Sequence, residues 1–191
     1  MSAPAFPERT SLLLLGRRSL NFDVDGLAQK WADQMLSWAS AAVVDAPNGN
    51  VAARAIESGA LYTLSSLPSP AHWGELSDLI RDVARDLHLF LPGDPATATR
   101  WLAWVHLSDV LAAGGDDFDA LKKVSRLWFD HETPDLHRFY LFKHAIREVM
   151  RDGQQAHVPG LTRESWRDDL VLAITDWKKE TRAPDLFPDS L

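Results

Sequence analysis

A chain of 191 residues that is 46% apolar and 25% charged has enough apolar material to bury a core, and this composition indicates neither a disordered nor a membrane-spanning protein. The absence of cysteine excludes disulfides and thiolate metal sites and fits a reducing compartment, so we expect a cytoplasmic protein. The net charge of −7 argues against direct binding to a nucleic-acid backbone and favours a basic partner.

The N-terminal residues lack a clear helical pattern. Residues 1–10 hold two prolines and are predicted to form a flexible arm. The longest apolar run that follows, Leu12 to Leu15, is too short for a signal peptide or a membrane span. Residues 11–24 fit either a short helix or a hairpin that turns at Gly16, because Leu20, Phe22 and Val24 alternate with polar neighbours.

Two helices are predicted between Asp25 and Pro68. In the first, apolar residues recur every three or four positions from Leu27 to Ala42, a spacing that places them on one face. The second covers residues 50–67 and is rich in small side chains that allow close approach of a neighbouring helix. Pro68 ends it.

Two further helices begin at X-Pro pairs, which are typical of helix N-termini. Ser69 and Pro70 start a helix over residues 70–91 whose buried stripe runs from Trp73 to Leu87. Asp94 and Pro95 start a helix over residues 94–113 that is apolar in nearly every direction, which is typical of a central helix.

Three more helices follow the Gly114-Gly115, Thr133-Pro134 and Pro159-Gly160 turns. The sequence therefore predicts an all-α fold, a single-domain bundle or compact array of about seven helices over residues 11–183, with a tail over residues 184–191. No period of roughly 34 to 45 residues indicates a repeat solenoid.

The negative charge is concentrated in the middle of the chain, where residues 61–120 carry 9 acidic and 3 basic side chains. Four acids align on the helix over residues 70–91, opposite its buried stripe, and we call them the acidic ridge: Glu75, Asp78, Asp82 and Asp86. Three acids near the next helix start extend the acidic third: Asp116, Asp117 and Asp119. A solvated helix face explains the same residues without a function.

The leading hypothesis from the sequence is a protein-protein interaction module. The acidic ridge and the three following acids would bind a more basic partner, as in a bacterial immunity protein, an antitoxin, an adaptor or a secretion chaperone. A second version of the hypothesis is a DNA mimic that inhibits a DNA-binding protein through the same acids. Arginine outnumbers lysine 14 to 6, which favours a bacterial source.

A metal-dependent helical enzyme is the alternative, and no cofactor is assigned under the leading hypothesis. The two histidines on the predicted helix after Pro134 lie seven residues apart, so they are separated by roughly 10 Å and cannot share one zinc ion unaided. His106 and Asp109, three residues apart, offer a general base or a structural polar pair. The candidate ligands are His131, Glu132, His137, His144 and Glu148.

Overall fold

The computed structural model describes residues 5–42, 49–112 and 117–187. Within these ranges the chain is helical and contains no strand, which confirms the predicted all-α fold. The chain divides into two compact units, Met1–Asp94 with Asp185–Leu191 (unit 1) and Pro95–Pro184 (unit 2). One domain over residues 11–183 stays a prediction, because compact units of one chain can fold together or separately.

Unit 1 contains five helices among its described residues, and α2 lies at their centre, in contact with α1, α3 and α4. Its stripe of Ala28, Trp31 and Met35 is fully buried, as the three-to-four spacing predicted. The Trp31 indole N–H donates to Ser11 Oγ at 2.8 Å, so the polar edge of this large side chain is satisfied inside the core. The helices are α1 (Glu8–Ser19), α2 (Leu27–Ala42), α3 (Gly49–Glu57), α4 (Gly59–Ser66) and α5 (Trp73–Asp86).

The first of the two alternatives for residues 11–24, the short helix, is correct, and the hairpin is wrong. α1 begins at Glu8, inside the predicted arm, and buries Leu12, Leu14 and Leu15. The alternating residues that suggested a strand lie in the turn after this helix. There the Arg17 guanidinium donates two hydrogen bonds to the Asp23 carbonyl, at 3.0 and 2.7 Å.

The single helix predicted over residues 50–67 is two helices, and Ser58 separates them. Its backbone is extended, with φ −75° and ψ 103°, and its side chain accepts a hydrogen bond from the Leu61 N–H as the N-cap of α4. The same hydroxyl donates to Asp86 Oδ2 at 2.8 Å. A serine among small residues gave no sign of this break, because its partner lies 28 positions away.

The predicted helix over residues 70–91 is shorter at both ends. Ser69 does not cap it, because its hydroxyl donates to Asp25 Oδ2 at 2.7 Å, and α5 begins at Trp73. At the other end, His88 adopts a left-handed conformation with φ 56°. The Leu89 N–H then returns to the Ala84 carbonyl at 2.7 Å, which closes the helix.

Unit 2 contains four α-helices and a short 3-10 turn among its described residues. α6 contacts α7 and α9, and α7 also contacts α8. α6 is buried on most sides, with Trp101, Leu102, Val105 and Leu107 all in the core, as predicted for a helix without a polar face. The elements are α6 (Pro95–Leu111), α7 (Asp117–His131), the turn Pro134–Leu136, α8 (His137–Asp152) and α9 (Trp166–Glu180).

The C-terminal residues return to unit 1, where part of the predicted tail is packed. Leu186 is buried, and its carbonyl accepts a hydrogen bond from the Phe90 N–H at 2.9 Å. The Phe187 ring lies 5.4 Å from the Phe6 ring. The turn at Gly114-Gly115 and the ends of the arm and tail, residues 1–4 and 188–191, lie outside the described residues.

Candidate functional site

The acidic ridge lies on α5 as predicted, opposite an apolar stripe. Leu76, Ile80 and Val83 are buried, and α5 packs on α4. Glu75 and Asp78 are exposed and Asp82 is half-buried. The 3.6-residue periodicity of α5 therefore places one face in the core of unit 1 and the first three ridge acids toward solvent.

Arginines of the same helix neutralise part of the ridge. Asp78 pairs with Arg81 at 2.8 Å and Asp82 pairs with Arg85 at 2.9 Å, each at a spacing of three residues. All four side chains are at least 42% exposed, so each pair contributes little to stability. Such pairs exchange partners at little cost, and the carboxylates stay accessible to another cation.

The fourth ridge acid, Asp86, has an internal role. It accepts the Ser58 hydroxyl at 2.8 Å and lies 3.6 Å from the Arg85 guanidinium. This hydrogen bond links the N-terminus of α4 to the C-terminus of α5. Sequence spacing placed Asp86 on the ridge but did not indicate this contact.

Arg18 of α1 lies near the ridge. Burial lowers its pKa, the neighbouring Arg81 lowers it further, and Asp78 opposes this. Its Nε is buried, with no acceptor among the described residues. A third arginine therefore borders the ridge, beyond the two that the sequence placed beside it.

The three acids that were expected to extend the ridge differ in their surroundings. Asp116 lies outside the described residues. Asp117 is only 8% exposed and pairs with Arg167 at 2.8 Å inside unit 2. The Asp119 side chain is 50% exposed and pairs with Lys123 at 2.6 Å, and this hydrogen bond lowers the pKa of Asp119. Only Asp119 of the described pair is accessible to another molecule.

The candidate metal ligands do not gather at one point. His131 and Glu132 end α7, where Glu132 has a left-handed φ of 48°. His137 and His144 contact aromatic rings, and the Glu148 carboxylate lies 3.1 Å from His157 Nε2. In the described ranges, no group of three or more His, Asp or Glu side chains is arranged to hold a metal ion.

The histidines instead belong to a row of rings on α7, α8 and the following loop, which we call the aromatic ladder. Trp128 contacts His137 at 4.7 Å and Tyr140 at 4.4 Å between ring centroids. Tyr140 contacts His144 at 4.5 Å, and His144 lies 5.8 Å from His157. His157, nine residues beyond Glu148, was missed in the sequence because only the loop after Gly153 brings it back to α8.

The ladder lies beside two cations. The Lys143 ammonium is 5.1 Å from the Tyr140 ring centroid. Burial lowers the pKa of Lys143, and Arg147 lowers it further. Burial likewise lowers the pKa of His144, with added effects from Lys143, Arg147 and His157 that outweigh the opposing Glu148. Positive charge therefore accumulates around His144.

Asp135 is a half-buried polar centre of unit 2 that the sequence did not single out. Its carboxylate accepts from Arg100 Nε and Nη2 and from the Trp177 indole N–H at 3.0 Å. Burial opposes its ionisation, but these hydrogen bonds hold the pKa of Asp135 below its ordinary value. Both Asp135 oxygens are engaged by protein donors, which is typical of a structural polar contact.

Lys178 and Ser108 form another polar contact in unit 2. Lys178 Nζ donates to Ser108 Oγ at 2.7 Å and lies 4.3 Å from the Trp104 ring centroid. The serine proton goes to the Trp104 carbonyl at 2.6 Å, so the lysine is not placed as its base. His106, which was considered as a base with Asp109, lowers the pKa of Asp119 slightly through its charge.

Unit 1 contains a cleft of about 490 Å³ between the N-terminal segment and α2. Phe6 and Trp38 meet edge to face at 5.0 Å on its wall, and Asp33, Gln34 and Ser37 supply polar groups. The Gln34 Oε1 atom is fully buried and has no donor among the described residues. A ligand in the cleft therefore cannot reach this atom unless the side chain turns.

No family model matches this chain, and no curated protein or solved structure shows significant similarity to it. None of the described helices is both long and apolar enough to cross a membrane.

Proposed function

We propose that the protein is a protein-binding module that engages a more basic partner through the exposed part of the acidic ridge, Glu75, Asp78 and Asp82. The observation that carries the proposal is the division of charge between the units. Unit 1 has 13 acidic and 7 basic side chains, a net charge of −6, whereas unit 2 has 14 and 13. A field of one sign on one unit accelerates encounter with a cationic surface.

The weak surface pairs on α5 support the same proposal. A basic partner would replace Arg81 and Arg85 around Asp78 and Asp82, and the exchange costs little because all four groups stay hydrated. Asp86, Asp116 and Asp117 are not included, since two are used internally or buried and one is outside the described residues. An immunity protein, antitoxin, adaptor, secretion chaperone or DNA mimic would each use such a face.

The test is capture of partners from a lysate of the source organism, followed by measurement of association rates with the purified partner. The variant E75K/D78K/D82K reverses three exposed charges on α5. The matched control, E132K/E164K/D168K, makes the same change in charge at exposed positions of unit 2. Circular dichroism verifies that both variants fold.

The proposal expects a partner with a basic surface whose association slows about tenfold or more in the α5 variant and in high salt, and much less in the control. An equal loss in both variants means that only net charge matters. An unchanged on-rate in the α5 variant also contradicts the proposal. A DNA-binding protein as the partner would specify the DNA mimic among the possible roles.

A further inference from the structure

The aromatic ladder lies in a part of the chain that the proposed function does not use. Its outer members, His137 and His157, are exposed, and Trp128, Tyr140 and His144 are half-buried. From His137 to His144 the ladder covers two helical turns, roughly 10 Å. That length matches about three nucleotides at 3.4 Å per residue of a stacked strand.

The two cations beside the ladder, Lys143 and Arg147, have no carboxylate partner among the described residues of unit 2. They lie one turn apart on α8. The nearest acid, Glu148, is engaged by His157 at 3.1 Å. Most other exposed cations of unit 2 do have partners, such as Arg151 with Asp152 and Lys179 with Asp176.

A pair of cations without carboxylate partners next to a row of aromatic rings is the combination that single-stranded nucleic acids recognise. The phosphates need positive charge that no carboxylate of the protein already neutralises, and the bases need ring faces or edges. An acidic peptide would use the cations alone and would leave the rings without a role. The net charge of the whole chain, which argued against such a ligand, belongs mainly to unit 1.

We propose that the aromatic ladder with Lys143 and Arg147 binds single-stranded nucleic acid, with phosphates at the two cations and bases against the rings. The contacts are independent of sequence, because every base has a stackable face. This inference stands on unit 2 and does not depend on the acidic ridge.

The test measures fluorescence anisotropy of a labelled deoxythymidine oligonucleotide of about twelve residues with the full chain. Binding is expected in low salt and is expected to weaken steeply as salt is raised. The variant K143A/R147A should weaken binding about tenfold and reduce the slope of log K against log salt by about 1.4, because each lost phosphate contact contributes about 0.7.

The matched control is R151A/K179A, which removes one arginine and one lysine that are already paired with acids. It should leave the affinity nearly unchanged. The variant Y140L, with its fold verified by circular dichroism, should weaken binding without changing the salt slope, because it removes a ring and no charge. This separates stacking from charge.

Four outcomes would overturn the inference. The first is no binding at about 20 mM salt, where electrostatic attraction is strongest. The second is an equal effect of the variant and its control. The third is full competition by poly-glutamate at equal charge concentration, which would assign the patch to an acidic protein. The fourth is competition by a mononucleotide, which would contradict binding of a strand.

Discussion

Asp135 shows how one side chain organises unit 2. It lies in the short turn between α7 and α8 and receives donors from Arg100 of α6 and Trp177 of α9. Trp177 is fully buried, so its indole N–H has no access to water if the carboxylate is removed. Asp135 therefore links its own turn to α6 and to α9 through hydrogen bonds, and one of the donors is fully buried, unlike those of surface ion pairs.

We expect Asp135→Ala to lower the free energy of unfolding by about 2 kcal/mol, because it leaves the buried Trp177 donor unsatisfied and frees a half-exposed arginine. Urea unfolding followed by circular dichroism measures the change. Asp119→Ala removes a solvent-screened pair with Lys123 and should cost much less stability than Asp135→Ala. If the two variants lose equal stability, Asp135 acts only as a surface charge.

His144 is expected to make stability depend on pH. Burial and neighbouring cations lower its pKa, so the folded protein disfavours the charged ring. As the pH falls below the ordinary value of 6.5, the unfolded chain takes up the proton first and stability decreases, until the pH passes below the folded pKa. Above pH 6.5 the residue contributes nothing to the pH dependence.

The variant His144→Gln should flatten this loss, and unfolding free energies measured between about pH 7 and pH 5 provide the check. The groups around His144 are Lys143, Arg147 and Glu148 on its own helix, Tyr140, and His157 on the loop. The exposed His72 in unit 1 supplies a control, His72→Gln. The same slope in wild type and His144→Gln would show that other groups determine it.

At the scale of elements, periodicity predicted the helices and failed where distant contacts decide the outcome. α2 follows from its apolar spacing, whereas α6 follows from a segment that is apolar in nearly every direction after the Asp94-Pro95 start signal. The break at Ser58 and the internal role of Asp86 depend on a hydrogen bond between two helices. Likewise, His157 reaches Glu148 and the aromatic ladder only because the loop after α8 returns to this helix.

The hydrogen bond between Ser58 and Asp86 allows the structural role of Asp86 to be tested separately from a role in partner binding. Ser58→Ala removes both the cap of α4 and the link to α5, and should cost about 1 to 2 kcal/mol of stability. Ser40→Ala, an exposed serine bonded only to its own helix, should cost less.

A double-mutant cycle with Asp86→Asn measures the coupling between the two side chains. A coupling near zero, after both single variants are shown to fold, would mean that the Ser58–Asp86 hydrogen bond does not stabilise the contact between α4 and α5. A clear coupling would give the Asp86 carboxylate a structural role that needs no partner. This outcome does not affect the proposal for Glu75, Asp78 and Asp82.

For the molecule as a whole, the main asymmetry is electrostatic. Unit 1 carries six of the seven excess negative charges, and unit 2 is nearly neutral with many internal ion pairs. Self-repulsion therefore opposes the folding of unit 1, while screening of its few surface pairs costs little. The two units should respond to ionic strength in opposite or clearly different ways.

Raising salt from about 10 mM to about 200 mM shortens the Debye length from roughly 30 Å to below 10 Å, so it screens repulsion across unit 1. We expect amide protection in α2 to increase and protection in α8 to stay constant or decrease, because unit 2 loses attractive pairs. Hydrogen exchange with mass spectrometry reports both helices in one sample. The charge-reversal variant E75K/D78K/D82K has less repulsion to screen, so its α2 response should be smaller than that of the wild type. Identical responses of α2 and α8 would show that the charge division has no energetic effect within the units and would weaken the case for selection of the acidic ridge by a partner.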